Sequence, residues 1–216
     1  MKSESIDYGV PTEGLNTPIG ERICLYKLHG SLNWLYCPTC ISLAITPFTK
    51  SGAELVREPK QCGKCAGNVV PIIVPPTFFK VMSNHFLEQI WYKTDELLRT
   101  AKRIIFCGYS FPDADIHIRY LLKRAELYKT HEFQIYVINH HDSKPQEEAR
   151  NEVNRYKRFF KNKGAVHYLN GSFEQFCESG EPDMPAYEFP SEKINGEINN
   201  SEALPSARNA KILLRK

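Results

Sequence analysis

At 216 residues, with 42% apolar and 25% charged positions, the chain is long enough for one compact domain carrying a small insert. A net charge of +3 does not mark a nucleic-acid binder, and no window approaches the roughly 20 apolar residues a membrane span needs. The polar start Met1-Lys2-Ser3-Glu4-Ser5-Ile6-Asp7 lacks the apolar stretch of a secretory leader. With an odd total of seven cysteines, the sequence reads as a cytoplasmic protein of a reducing compartment.

Residues 1–22 read as an irregular segment ahead of a domain at 23–179. The apolar pattern between Tyr26 and Trp34 reads as a strand delivering side chains to a loop at the His29-Gly30 pair. Cys37-x-x-Cys40 and Cys62-x-x-Cys65 then form two hooks with 21 residues between them. Two thiols two residues apart in a tight turn can aim both sulfurs at one ion, and a second such turn completes a tetrahedron. The spacing is that of a structural zinc site, within a module at about 36–69. Free or disulfide-bonded thiols are the alternative. Pro38 and Gly63 suit the two knuckle turns, glycine because it permits positive φ. With all four positions taken by thiolate, the zinc would be structural and would hold no reactive water. Cys24 and Cys107 sit in apolar runs and read as small buried hydrophobes.

The segment from Val70 to Pro76 is too proline-rich for a strand interior and reads as an extended crossing. Phe86, Leu87, Ile90, Trp91, Leu97 and Leu98 recur at helical spacing, predicting a helix from near Asn84 to Ala101. A regular alternation follows: strand Arg103–Cys107, helix Asp115–Tyr128, strand Phe133–Ile138, helix about Lys144–Lys163, strand Ala165–Leu169 and a short helix near Ser172–Glu178. Strands separated by helices of this length imply right-handed crossovers and a parallel sheet. The predicted class is α/β, a partial Rossmann-like parallel sheet with helices, plus the four-cysteine module. Arg150, Arg155, Lys157, Arg158, Lys161 and Lys163 read as a solvated face of the helix predicted at about Lys144–Lys163. Beyond Gly180 the composition turns to Pro, Glu, Asn, Ser and Lys. Residues 180–216 are predicted to be largely disordered, with a short helix near Ala207–Leu214.

In open parallel sheets ligands bind at the carboxyl ends of strands. Gly108 after the first strand of the series allows close backbone approach, and Ser110 offers a hydroxyl. Asp113 or Ser110 could cap the next helix, and the aspartates of this loop could accept hydrogen bonds from ribose hydroxyls. Asn139 ends the second strand, either as a ligand for ribose or adenine or as a turn former. Ser172 reads as a helix cap, and His140-His141 as a solvent-facing turn.

Taken together, Lys27-Leu28-His29-Gly30-Ser31, the eight-residue step to Cys37, the paired CxxC hooks, Gly108-Tyr109-Ser110 and Val137-Ile138-Asn139 resemble the sirtuin family. The resemblance is to divergent bacterial sirtuin-like domains, anti-phage defence proteins among them, and covers about Tyr26 to Cys177. It implies that His29 is the general base acting on the nicotinamide ribose hydroxyls of NAD. It also implies that Gly108, Ser110 and Asn139 bind the adenosine ribose, and that Cys37, Cys40, Cys62 and Cys65 hold structural zinc.

Two departures bear on activity. Sirtuins that deacylate lysine clamp the peptide as an added strand, yet Phe111-Pro112-Asp113-Ala114-Asp115 at the second clamp position reads as a helix entrance, and Pro75-Pro76-Thr77-Phe78-Phe79 at the first lacks a strand pattern. The family's Gly-Ala-Gly phosphate loop and Gln-Asn-x-Asp segment have no match before Lys27, so the sequence reads as the C-terminal part of a longer domain, completed by a missing N-terminal half, a homo-oligomer or a partner chain. NAD glycohydrolase chemistry is the leading expectation. A non-catalytic module binding NAD or ADP-ribose-like ligands is the alternative, ahead of protein deacylation.

Overall fold

The computed structural model describes residues 6–11, 23–46, 60–74, 84–128, 134–140, 143–160 and 166–179, and the backbone of 211–215. The chain divides into two compact units, Met1–Glu96 and Leu97–Lys216. Among the described residues no helix is long and apolar enough to cross a membrane.

In the first unit, β1 (Ile6–Asp7) pairs in parallel with β2 (Ile23–Cys24). A four-stranded antiparallel sheet follows, built from β3 (Gly30–Cys37), β4 (Ser42–Ile45), β5 (Lys60–Gln61) and β6 (Asn68–Ile73) in the order β4-β3-β6-β5. Two expectations are corrected here. His29-Gly30 does not end a strand spanning Tyr26–Trp34. Leu28 and His29 form a turn, and β3 begins at Gly30 and runs on through Trp34 to Cys37.

The proline-bearing segment is also a strand. Pro71 stands in β6 opposite Leu35, beyond the two residues that pair with β5, and beside a register shift in β3 between Ser31 and Leu35. A residue without an N–H is tolerated there because the ladder to β3 is bulged beside it.

Helix α1 (His85–Thr100) starts where Asn84 accepts hydrogen bonds through Oδ1 from the N–H groups of Phe86 (3.0 Å) and Leu87 (3.3 Å). That satisfies two of the donors a helix start leaves orphaned. Phe86, Leu87 and Ile90 are buried, as their spacing predicts. Cys24, read as a buried hydrophobe, is exposed at the end of the two-residue strand β2.

The second unit holds the parallel sheet. Its strands β7 (Arg103–Cys107), β8 (Gln134–Asn139), β9 (Val166–Asn170) and β10 (Lys211–Arg215) lie in the order β10-β7-β8-β9 and all pair in parallel. Helices α2 (Ile116–Tyr128), α3 (Gln146–Phe159) and α4 (Phe173–Ser179) connect or follow them. β7 and β8 are near-continuous apolar runs because both faces are covered. On one face Ile105, Cys107, Tyr136, Ile138, Leu169 and Phe176 form a single cluster. Phe106 instead packs against Tyr109, Phe111, Tyr156 and Phe160 with ring centroids 5.2–6.2 Å apart. Each fully buried aromatic or aliphatic side chain contributes about 1.5–3 kcal/mol.

Three boundaries differ from expectation. α2 begins at Ile116, so neither Ser110 nor Asp113 stands at its start; Asp115 does, and Asp113 pairs with Arg119 at 3.0 Å. α3 stops at Phe159, where Phe160 turns extended and buries its ring, so Lys161 and Lys163 lie outside the described residues. The helix predicted near 207–214 is instead β10 across Lys211–Arg215, where Ile-Leu-Leu supplies the apolar run of a strand beside β7. Residues 180–210 lie outside the described set.

Candidate functional site

The four cysteines converge. Cys37 closes β3, Cys40 follows in the turn to β4, and Cys62 and Cys65 occupy the turn between β5 and β6. Their sulfurs all lie within 4.8 Å of one another, with Cys37 to Cys65 at 3.5 Å and Cys40 to Cys62 at 3.6 Å. A tetrahedral ion with Zn–S bonds of about 2.3 Å holds its sulfurs roughly 3.8 Å apart, so the arrangement fits zinc. With four thiol donors the centre is closed.

The two hooks are built alike. In each, the residue after the second cysteine takes positive φ: Ile41 at 55° and Ala66 at 58°. Gly63, expected to supply that conformation, is not among the positive-φ residues. In the second hook the backbone closes on itself, Cys62 N–H donating to Gly67 O (2.7 Å) and Ala66 N–H to Cys62 O (2.8 Å), while Lys64 N–H points at Cys62 Sγ (3.4 Å). Ser42, which the spacing argument did not single out, places its hydroxyl 3.1 Å from Cys40 Sγ and 3.3 Å from Cys62 Sγ.

These bonds divide the thiols electrostatically. Hydrogen bonds from the Ser42 hydroxyl and from backbone N–H groups lower Cys62 to about 6. Cys65 is pulled down by the Gly67 N–H, but its bonds to Cys37, Cys40 and Cys62 outweigh this and carry it up to about 12. Cys37 is lowered, chiefly by the backbone N–H of Cys40. Such a set readily gives up protons to a cation, since the anionic form of some members is already favoured.

His29 sits in the turn before β3, held from two sides. Its Nδ1 lies 3.0 Å from the carbonyl oxygen of Val74, and Val74 N–H donates to the carbonyl of His29 at 2.9 Å. A carbonyl can only accept, so Nδ1 carries the proton and the basic lone pair of the neutral ring belongs to Nε2. Trp91 of α1 donates its indole N–H to Leu28 O at 2.9 Å, pinning the same turn. Gly30 has φ of +75°, which only glycine adopts at no cost. Beside the histidine, Lys27 Nζ donates to Ser31 Oγ (3.1 Å), and Ser31 donates to Asn33 Oδ1 (2.6 Å). Burial lowers the Lys27 ammonium from its ordinary value.

Gly108, Ser110 and Asn139 belong to the second unit, where Gly108 follows β7 and Asn139 ends β8. The register pairs Cys107 with Ile138 and Asn139 with Asn170, which puts the residues after each strand along one carboxyl edge. Gly108 has φ of +63°, and a β-carbon built on it would meet nothing within 4 Å. Its N–H donates to Ile138 O (3.0 Å), and Gly171 N–H likewise bonds Asn139 O (3.0 Å). Ser172 caps α4, its Oγ accepting from Gln175 N–H while Gln175 Oε1 accepts from Ser172 N–H. His140 is exposed, as a solvent-facing turn requires, and His141 lies outside the described residues.

Residues that motif reading passed over complete this edge. Glu152 of α3 is 1% exposed and accepts from Asn139 Nδ2 at 2.8 Å, while Lys144 Nζ holds its other oxygen at 2.5 Å. Arg155 is no free member of a basic face, because its Nε donates to Ser110 O (3.0 Å). Tyr156 donates to Tyr109 O (2.6 Å), and Tyr109 to Asp115 Oδ2 (2.9 Å). Burial, followed by the charge of Glu152, holds the Tyr156 hydroxyl protonated, well above its ordinary value. A lone Glu at an apolar helical position was the available signal.

No family model matches the sequence, and no curated protein matches it. Among solved structures the chain is similar to one described as the structural basis for sirtuin substrate affinity, at 15% identity over 56% of this chain and 46% of that one, with a TM-score of 0.33. It is also similar to one concerned with the mechanism and regulation of Sir2 enzymes, at 19% identity over 68% of this chain and 60% of that one, again with a TM-score of 0.33. The chain thus spans about half the length of these solved chains.

Proposed function

We propose that the chain is a sirtuin-like NAD-binding domain that cleaves the bond between nicotinamide and ribose, with Gly108, Ser110 and Asn139 holding the adenosine ribose. The observation carrying this reading is the bond from His29 Nδ1 to Val74 O, which leaves Nε2 as the base. An imidazole suits the task because one ring nitrogen can be held by a carbonyl while the other takes up and returns a proton. His29 takes a proton from a hydroxyl of the nicotinamide ribose, raising the electron density that helps nicotinamide depart; a solvent water adds at the ribose carbon that loses nicotinamide, giving ADP-ribose and releasing a proton. The positive φ and open approach at Gly108 suit a backbone that must lie against a ribose.

The four cysteines hold structural zinc and take no part in the reaction. Sulfur spacings of 3.5 and 3.6 Å support that assignment. Peptide deacylation is disfavoured because the segment after Ser110 does not lie open as a strand. Phe111 is fully buried with φ of 53°, and Asp115 leads directly into α2. A second reading, ADP-ribose binding without turnover, draws support from Gly108, Ser110 and Asn139 all lying in one unit.

Chromatography of nicotinamide, after incubating the chain with NAD in the presence and absence of an acetylated peptide, tests the proposal. Release independent of peptide supports it, release only with peptide indicates deacylation, and calorimetric binding of ADP-ribose with no release selects the second reading.

A further inference from the structure

We infer that Glu152 is the positioning residue for Asn139, fixing the amide that meets the ribose; this rests on the nucleotide-binding reading above. Asn139 ends β8 at the carboxyl edge of the parallel sheet. Unrestrained, its amide can present oxygen or nitrogen outward, and a ligand must then pay the cost of ordering it. Here both ends are assigned. Nδ2 donates to Glu152 Oε1 at 2.8 Å, and Oδ1 accepts from the His140 N–H at 3.2 Å. A carboxylate accepts only, so it must face the NH2 end, and the amide cannot flip without setting oxygen against oxygen. One N–H and one lone pair of the amide remain, the complement of a hydroxyl that both accepts and donates.

Glu152 is costly to place there. It is 1% exposed, and an isolated carboxylate at that depth would be neutralised or expelled. Lys144 removes the difficulty by holding Oε2 at 2.5 Å with its side chain 21% exposed. The pair therefore gives Asn139 an ionised acceptor, and hydrogen bonds to charged groups are stronger and shorter than neutral ones. The sheet core alone does not ask for this arrangement. An apolar residue at 152 would continue the buried stripe of Ala149, Val153 and Tyr156 on α3.

Calorimetric titration with ADP-ribose of the full chain and of its N139A, E152A and N139A/E152A variants tests the assignment, with thermal unfolding run on each. Loss of either side chain alone is expected to weaken binding about fivefold to tenfold. Because Glu152 acts through Asn139, the double variant should bind no more weakly than N139A, a non-additivity that a merely structural glutamate would not produce. Should E152A unfold, Glu152→Gln keeps the side-chain volume but offers an NH2 beside its acceptor, so it no longer forbids the flip of Asn139; it is expected to weaken binding about twofold to fivefold, and unchanged binding by that variant overturns the inference. Losses that add in the double variant, or an E152A chain that binds normally, overturn the inference alone. An unmodified chain that binds no ADP-ribose overturns the nucleotide-binding reading and the inference with it.

Discussion

A β-carbon placed on Gly30 would stand 2.2 Å from the carbonyl oxygen of Ile72, closer than any real contact. The glycine after His29 is therefore fixed by the neighbouring strand as well as by its own φ of +75°. Gly30→Ala adds a left-handed penalty of about 1–2 kcal/mol to that collision. The expected result is a fall in melting temperature of roughly 4–8 °C, with the His29 turn displaced from Val74, measured by thermal unfolding. An alanine variant that melts with the unmodified chain would show that β6 yields easily.

Gly108 gives the contrasting case. Its φ is +63°, yet nothing stands within 4 Å of the position a β-carbon would take. Gly108→Ala should cost only the backbone penalty, about 1–2 kcal/mol, and so roughly 2–4 °C or a little more in melting temperature. Its larger effect should fall on ADP-ribose affinity, since the methyl occupies space open to a ligand. Unchanged affinity in the calorimeter would remove Gly108 from the ribose edge.

The cysteine cluster predicts one zinc per chain by colorimetric assay after denaturation. Structural zinc sites contribute on the order of 10 kcal/mol to folding. Cys62→Ser should accordingly abolish bound zinc and lower the melting temperature, whereas Cys177→Ser should do neither, since Cys177 lies outside the cluster. Zinc retained in full by the Cys62 variant would exclude this centre.

His167 makes stability depend on pH. It stacks on Tyr136 with centroids 5.0 Å apart, and burial lowers its pKa from the ordinary 6.5. The unfolded chain therefore binds the proton more readily than the folded one, so the stability present above about pH 6.5 is lost as pH falls from there through the depressed folded value. Urea midpoints at pH 7.5 and pH 5 should differ, and His167→Gln should narrow that difference. An equal drop in both proteins would assign the acid sensitivity to other groups.

The alternating half of the fold was legible because the parallel strands are buried on both faces. Ile104-Ile105-Phe106 and Tyr136-Val137-Ile138 could be read directly as apolar runs. The first unit was harder to read. Pro71 argues against a strand unless one knows that its β3 flank is bulged, and that fact comes from pairing, which local pattern does not carry. The same limit applies to the site. His29, the cysteines, Gly108 and Asn139 stand in recognisable order along the chain. Glu152 reaches Asn139 from 13 residues away across a crossover helix, and Arg155 reaches Ser110 across 45. Ile41 and Ala66 escaped notice because positive φ was sought at glycine.

The central claim is that His29 acts as the base in cleaving NAD. Its most direct test is the rate of nicotinamide release by the unmodified chain and by His29→Ala, with ADP-ribose binding measured on both. General acid–base catalysis is worth about 100-fold to 10,000-fold, so the variant should lose at least about 100-fold in rate while still binding ADP-ribose. Equal rates in the two proteins would contradict the account.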